Sequence, residues 1–249
     1  MENENITEHQ IELSIVIPAF KEAKKIHIDI EMAANFLNRQ KLSGEIIVVD
    51  DGSPDATTSV ALSLQDKYPE LKVLRYETNR GKGYALRYGV VNSRGDKVMF
   101  ADSGLCVSYE IAFIGLSMLN LNMCDIAHGS RRMRGSVVKR QPLYRSIGSK
   151  VYSLVVHALM GVPLYISDTQ CGFKLYKGDY ARRLYSKAFT DGFMIDIEII
   201  LRSLSSGYRI LEFPVIWSND ADTRYDPIKG TWKNLLELMA IRWRLFTKK

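Results

Sequence analysis

Ile46-Ile-Val-Val-Asp-Asp-Gly-Ser53 decides how this 249-residue chain is read. Four β-branched apolar residues run into two adjacent carboxylates and a glycine. A continuous apolar run fits a strand buried on both faces, as in a parallel sheet. Asp50, Asp51, Gly52, Ser53 and Pro54 then stop the strand at a turn. In open α/β sheets, ligands bind outside the carboxyl ends of the strands. Asp50 and Asp51 therefore stand where a ligand would sit. The rival reading is a helix N-cap by Asp51 or Ser53, with no ligand.

The pattern extends in both directions. Leu13 to Ile17 reads as a strand ended by Pro18, and Ile26, Ile30, Ala33 and Leu37 follow at helical spacing. After the central strand, a helix opens at Asp55 or Thr57. Lys72 to Tyr76 is a third strand, Asn79 to Gly83 a loop, Tyr84 to Ser93 a helix, and Lys97 to Ala101 a strand ending at Asp102. This alternation predicts an α/β fold with a mostly parallel sheet flanked by helices. Beyond Asp102 the pattern loosens. It gives helices over 109–121, 142–160, 178–187 and 194–205, a short strand over 125–129, and a basic loop from Ser130 to Gly135. A polar loop from Ser167 to Lys174, a last strand from Tyr208 to Ile216 and an amphipathic helix from Thr231 to Phe246 complete it. The expected organisation is one domain over residues 1–226, with halves near 12–104 and 105–226, then a basic amphipathic helix over 227–249.

The chain is 46% hydrophobic, enough for a sizeable core, and its net charge of +6 favours anionic partners. Phosphates and anionic membrane faces fit; without a Lys/Arg-rich block, a nucleic-acid arm does not. Cys106, Cys124 and Cys171 are few, odd in number and far apart, which argues for a reducing compartment and against a disulfide framework. The acidic Met-Glu-Asn-Glu-Asn start does not read as a signal peptide. No stretch reaches the roughly 20 apolar residues of a spanning helix. The run from Val151 to Ser167 is broken by Gly161 and Pro163 and reads as a buried or membrane-facing helix followed by a loop.

Four strand ends should deliver polar groups to one rim: Pro18, Ala19 and Glu22 from the first, Asp50 and Asp51 from the second, Arg80 and Lys82 after the third, Asp102 from the fourth. Acids beside bases suit a ligand that carries both hydrogen-bond donors, such as a uracil imide, and phosphates. Gly81-Lys82-Gly83 could bring backbone N–H groups to a phosphate. It is not a dinucleotide fingerprint, because the third glycine is missing. Asp196 and Glu198 lie in an otherwise apolar helix, and buried acids need partners, so one is a candidate for the site. His128 and His157 have no partner at metal-ligand spacing and read as structural.

Pro18-Ala-Phe-Lys-Glu22, Val48-Val-Asp-Asp-Gly-Ser53, Asn79-Arg-Gly-Lys-Gly83, Gly129-Ser-Arg131 and Asp168-Thr-Gln-Cys-Gly-Phe-Lys174, in this order, resemble the family 2 glycosyltransferases. Within them the polyprenyl-phosphate (dolichyl-phosphate) glucosyltransferases and mannosyltransferases are the most similar subgroup. The resemblance implies a GT-A fold, a nucleotide-sugar donor, a divalent cation (Mg²⁺ or Mn²⁺) and a lipid-phosphate acceptor. It places Pro18, Ala19, Glu22 and Asp50 at the nucleoside, with Asp51 supporting that rim and Lys82 near the base or ribose. It puts Asp102 at the metal, Arg131 at the acceptor phosphate with Arg145 and Ser149, and Asp102, Arg131, Asp168 and Gln170 in the catalytic set. Two positions depart from the family pattern. Lys21 stands where Asn usually precedes the glutamate, and the usual Asp-x-Asp metal motif reads Asp102-Ser103-Gly104. Magnesium commonly takes one or two carboxylates plus substrate phosphates, so one acid can serve, with weaker affinity.

The C-terminal helix adds a location. Trp232, Leu235, Leu236, Met239, Trp243 and Phe246 share one stripe, with Lys233, Arg242, Arg244, Lys248 and Lys249 off it or beyond it. Such a helix suits a membrane interface; the alternative is packing on its own domain. The expectation is therefore an inverting hexosyltransferase, cytoplasmic and peripheral on the inner face of the cell membrane. It would move glucose from UDP-glucose to a polyprenyl phosphate. A glycan or protein acceptor, or a non-catalytic sugar-nucleotide binder, are the rivals, and self-association is left open.

Overall fold

The computed structural model describes residues 10–138, 153–218 and 227–246. A seven-stranded sheet runs in the order β3-β2-β1-β4-β7-β5-β8. Its strands are β1 (Leu13–Ala19), β2 (Gly44–Asp51), β3 (Leu71–Tyr76), β4 (Lys97–Ala101), β5 (Ile126–Ser130), β7 (Phe173–Lys177) and β8 (Ile210–Pro214). A second, two-stranded parallel ribbon pairs β6 (Val137–Val138) with β9 (Ile216–Trp217). The helices are α1 (Ile26–Gln40), α2 (Thr57–Leu62), α3 (Lys82–Val91), α4 (Ala112–Asn120), α5 (residues 153–160), α6 (Gly178–Ser186), α7 (Ile195–Ser205) and α8 (Pro227–Phe246).

Every residue of β1 is buried, and all of β2 after Gly44, because helices cover both faces of the sheet. Alternation sorts the side chains between two cores. Ile15, Ile17, Ile46 and Val48 face α1, α2 and α4. Val16, Ile47 and Val49 face the layer containing α3 and α5 to α8. The same alternation sends neighbouring Asp50 and Asp51 to opposite faces, Asp50 towards α2 and Asp51 towards α3.

Two expectations need correction. The first strand does not end at Pro18; it continues to Ala19, with Pro18 opposite Val49. Pairing of β1 with β4 stops at Val16, so a residue with no amide hydrogen is tolerated in the one-sided stretch. The loop expected over 167–174 ends early, because Phe173 opens β7. This strand is antiparallel to both β4 and β5. It therefore enters the sheet from the edge where β1, β2, β4 and β5 end, and it brings the 168–172 loop to that edge.

Candidate active site

At the end of β2, Asp50 is fully buried. Its carboxylate accepts the Ser53 N–H at 3.0 Å and the Thr58 hydroxyl. Asp51 collects four donors: Tyr76 Oη at 2.8 Å, Asn79 Nδ2 at 2.9 Å, Arg80 N at 2.7 Å and Gly81 N at 2.9 Å. The Arg80 and Gly81 amides thus serve Asp51 rather than a phosphate. Gly81 and Gly83 are small for another reason: a Cβ would meet Asp191 O at 2.6 Å and Thr190 O at 2.5 Å. Burial and the Asp51 carboxylate both push the Tyr76 phenol above its ordinary pKa. At the end of β1, Pro18, Ala19 and Glu22 are buried, with the Glu22 N–H donating to Thr57 Oγ1 at 2.8 Å.

The Lys82 side chain reaches Asp102, just past the end of β4. Its Nζ lies 2.6 Å from Asp102 Oδ1 and 3.8 Å from Asp196 Oδ2. The contact with Asp102 is an ion pair without the direction of a good hydrogen bond. Burial opposes the charge on Lys82, but Asp102 and Asp196 outweigh it and hold its pKa above the ordinary lysine value. Asp196, one of two buried acids of α7, also pairs with the fully buried Lys174 of β7. Glu198 faces elsewhere and ties Phe189 N, Thr190 N and Arg202 together. Asp102 itself rests on the 168–172 loop. Its N–H donates to Gly172 O at 2.8 Å, and a Cβ on Gly172 would lie 1.8 Å from Asp102 Oδ2.

Past β5, Arg131 and Asp168 meet through a fork: Nε to Oδ2 at 2.7 Å and Nη2 to Oδ1 at 2.8 Å, with the Arg131 N–H adding 3.0 Å. Burial would raise the Asp168 carboxyl, but the guanidinium wins and holds it down at about 2. The Arg131 side chain is 28% exposed and lies 5.6 Å from the Trp217 ring. Gln170 sits beside Met194, its Nε2 3.7 Å from the sulfur. Arg145 and Ser149 fall outside the described residues.

Sequence reasoning missed several supports. Glu212 of β8 accepts from Asp168 N at 2.8 Å and Ser167 Oγ at 2.6 Å, fixing the loop that carries Asp168. An acid between Leu211 and Phe213 was the available signal. Asp29 of α1, fully buried, accepts the N–H groups of Gly104 and Leu105 and shapes the turn after Asp102. His128 is fully buried, and burial, followed by the charge of Lys174, holds its pKa well below the ordinary value.

Among the described residues, no three His, Cys, Asp or Glu side chains cluster to hold a metal. Asp102 is a hard oxygen ligand at 36% exposure, which suits a divalent cation, but only with further oxygens supplied by a ligand.

The glycosyl transferase family 2 model matches residues 14–183, which include both rims. The chain belongs to glycosyl transferase family 2. Dolichyl-phosphate beta-glucosyltransferases are among its relatives. The Homo sapiens protein is 31% identical over 249 residues, covering 95% of this chain and 76% of its own length. The Saccharomyces cerevisiae protein is 30% identical, covering 86% and 70%. A similar fold occurs in mannosyl-3-phosphoglycerate synthase from Rubrobacter xylanophilus, at TM-score 0.70 and 18% identity over 96% of this chain and 76% of that one. Glucosyl-3-phosphoglycerate synthase from Mycobacterium tuberculosis, solved with Mn²⁺, UDP and phosphoglyceric acid, aligns at TM-score 0.68 and 18% identity, covering 94% and 78%. The family 2 chain thus has the mixed α/β architecture expected from its sequence, and it is a glycosyltransferase. No described helix is long and apolar enough to cross a membrane.

Proposed function

We propose that this transferase moves glucose from UDP-glucose to the phosphate of a polyprenyl, dolichyl-type lipid, with inversion at the anomeric carbon. The observation that carries the acceptor is the Arg131–Asp168 fork. Asp168 takes Nε and Nη2 and leaves Nη1 for a phosphate oxygen. Arginine suits this better than lysine, because its planar fork matches phosphate geometry. The relatives' names support the same acceptor, and the UDP complexes of the fold neighbours support the donor.

The chemistry needs no general base. A phosphate monoester has a second pKa near 6, so at neutral pH the acceptor is already an anionic nucleophile. The protein must place it behind the anomeric carbon and steady the departing diphosphate. Arg131 would hold the acceptor phosphate, with Arg145 and Ser149 assigned to it by motif alone. Lys82 and Asp102 would face the diphosphate. A divalent cation at Asp102 would neutralise charge on the leaving group. Asp50, Pro18, Ala19 and Glu22 would enclose the nucleoside.

A peripheral seat on the inner membrane face fits α8. Trp232, Leu236, Met239 and Trp243 form a stripe and are all exposed, while Leu238 and Ile241 on the opposite side are buried in the core. The helix therefore packs on its own domain and still presents an apolar face. Lys233, Arg242 and Arg244 flank that face and suit anionic lipid. Arg242 also donates to Leu159 O, which sets α5 with exposed Leu154 and Leu159 beside it.

Transfer from radiolabelled UDP-glucose to a short-chain polyprenyl phosphate tests the reading. Organic-soluble product is expected from the wild type, and at least a hundred-fold less from Arg131→Ala, with UDP affinity nearly unchanged. Wild-type turnover in Arg131→Ala would remove the lipid-phosphate assignment and favour a glycan or protein acceptor.

A further inference from the structure

The position two residues after Asp102 is Gly104, at φ +90°, and its N–H is committed to Asp29. No second acid of the metal motif stands there. The charge nearest Asp102 among the described residues is positive, the Lys82 ammonium 2.6 Å from Oδ1, and Arg131 also feels the Asp102 charge. Lys82 is held in place. It opens α3 and its side chain is 14% exposed. Its Nζ lies 5.6 Å from the Phe100 ring centroid, and Asp196 stands behind it, itself paired with Lys174. A divalent cation bound at Asp102 Oδ1 would have to sit within a few ångström of this ammonium. Like charges that close repel strongly where water is partly excluded. A nucleoside diphosphate reverses the balance, because its oxygens offer the ammonium a second anion and the cation further ligands.

We propose that Lys82 is a built-in competitor for the metal position, neutralising Asp102 in the free protein and confining cation binding to the nucleoside-diphosphate complex. The inference rests on the UDP-sugar reading only for its second half. Asp196 is a positioning residue here: it keeps the ammonium at Asp102 when no diphosphate is present. The arrangement would keep the site from taking up free cation and would make donor and metal enter together.

The test is Mn²⁺ binding to the free full-length chain, followed by the paramagnetic resonance of unbound Mn²⁺, with UDP titrations run in parallel. Wild type should bind Mn²⁺ weakly alone and far more tightly with UDP. Lys82→Met should tighten binding of Mn²⁺ to the free chain at least ten-fold. The factor by which UDP strengthens Mn²⁺ binding should fall, and Mn²⁺ should strengthen UDP by the same reduced factor. Lys82→Arg should behave as wild type. Adding Asp102→Asn to Lys82→Met should remove the gain. Circular dichroism checks the fold, and Lys82→Gln replaces the methionine variant if that one fails to fold. A folded charge-removing variant whose Mn²⁺ affinity stays within two-fold of wild type overturns the proposal. So does a gain that survives Asp102→Asn. Failure of wild type to bind UDP under any metal condition would sink the donor reading instead, while the Mn²⁺ titrations of the free chain still decide the role of Lys82.

Discussion

At the end of β2, Asp51 takes its hydrogen bonds from a phenol, a side-chain amide and two backbone N–H groups. Across the rim, Asp168 takes its own from the guanidinium and N–H of Arg131, and Asp196 is bracketed by Lys174 and Lys82. Neutral donors fix a carboxylate without cancelling its charge. Cations fix it and cancel it. The end of β2 therefore keeps its negative charge. The opposite side holds cations already paired inside the fold, which an incoming phosphate can share. On the proposed function, the first side would receive the nucleobase and the second the phosphates.

The largest break in that comparison should come from Asp196→Asn. It would leave Lys174 fully buried without its counter-ion. Removing one partner of a buried pair typically costs about 3–5 kcal/mol. Urea unfolding at neutral pH should show that loss, and Asp196→Leu combined with Lys174→Met should recover most of it. A cost below about 1 kcal/mol would mean that water reaches Lys174 and that the pair is not isolated.

A smaller effect is expected at Asp51. Asp51→Asn turns one accepting oxygen into a donor that faces donors. A lost hydrogen bond to a charged group costs about 1.5–3 kcal/mol. The damage should be local, because Asp51 organises Asn79, Arg80 and Gly81. Amide exchange should quicken in 79–83 more than in α7. Uniform quickening would show that Asp51 supports the whole domain rather than its loop.

Acid should separate the rims next. The Asp168 carboxyl is held at about 2 in the fold, against an ordinary 3.8. A depressed folded value means the stabilisation is complete above the ordinary value and is lost as pH falls from about 4 towards 2. That difference corresponds to roughly 2 kcal/mol. The stability of wild type should slope through this window, and Asp168→Asn should flatten part of the slope. An unchanged slope would show that other carboxylates carry the acid sensitivity.

The two halves also differ in how far they could be read from sequence. In the first, α and β elements alternate and β2 carries a continuous apolar run from Ile46 to Val49, so the order and the Asp50, Asp51 and Asp102 strand ends were legible. In the second, β7 was missed because Phe173-Lys-Leu-Tyr-Lys177 carries lysines that look like surface residues. Lys174 is instead fully buried, and nothing near it in sequence announces Asp196, 22 residues away. The Arg131–Asp168 pair was quoted in two motifs, but its fork depends on an antiparallel strand that returns the 168–172 loop to the rim. The apolar stripe of α8 was visible, whereas the buried face through Leu238 and Ile241 was hidden by the polar residues around it. Local pattern reveals elements; charge pairs between distant elements appear only once the register is known.

The smallest expected effect lies at Lys21, in the turn after β1. Lys21 sits at φ +58°, in the left-handed region, and its N–H donates to Ser53 Oγ at 2.9 Å. That bond ties the turn after β1 to the turn after β2, so the conformation is imposed by the rim. Asparagine tolerates this region better than lysine, because its short polar side chain can bond locally. Lys21 is exposed, with its ammonium 5.2 Å from the Phe20 ring centroid. Lys21→Asn should therefore stabilise the chain by a few tenths to about 1 kcal/mol, the usual scale of a substitution that fits its backbone better. For a domain of this size that is about 1–4 °C in melting temperature. Lys21→Val, β-branched at the same φ, should move the temperature the other way. Neither change touches Arg131 or Asp168, so transfer to the acceptor at saturating donor should stay as in wild type. If Lys21→Asn instead lowers the melting temperature, the lysine side chain contributes more than its backbone costs. If acceptor transfer falls with stability unchanged, the two rims are coupled more closely than their separate hydrogen bonds suggest.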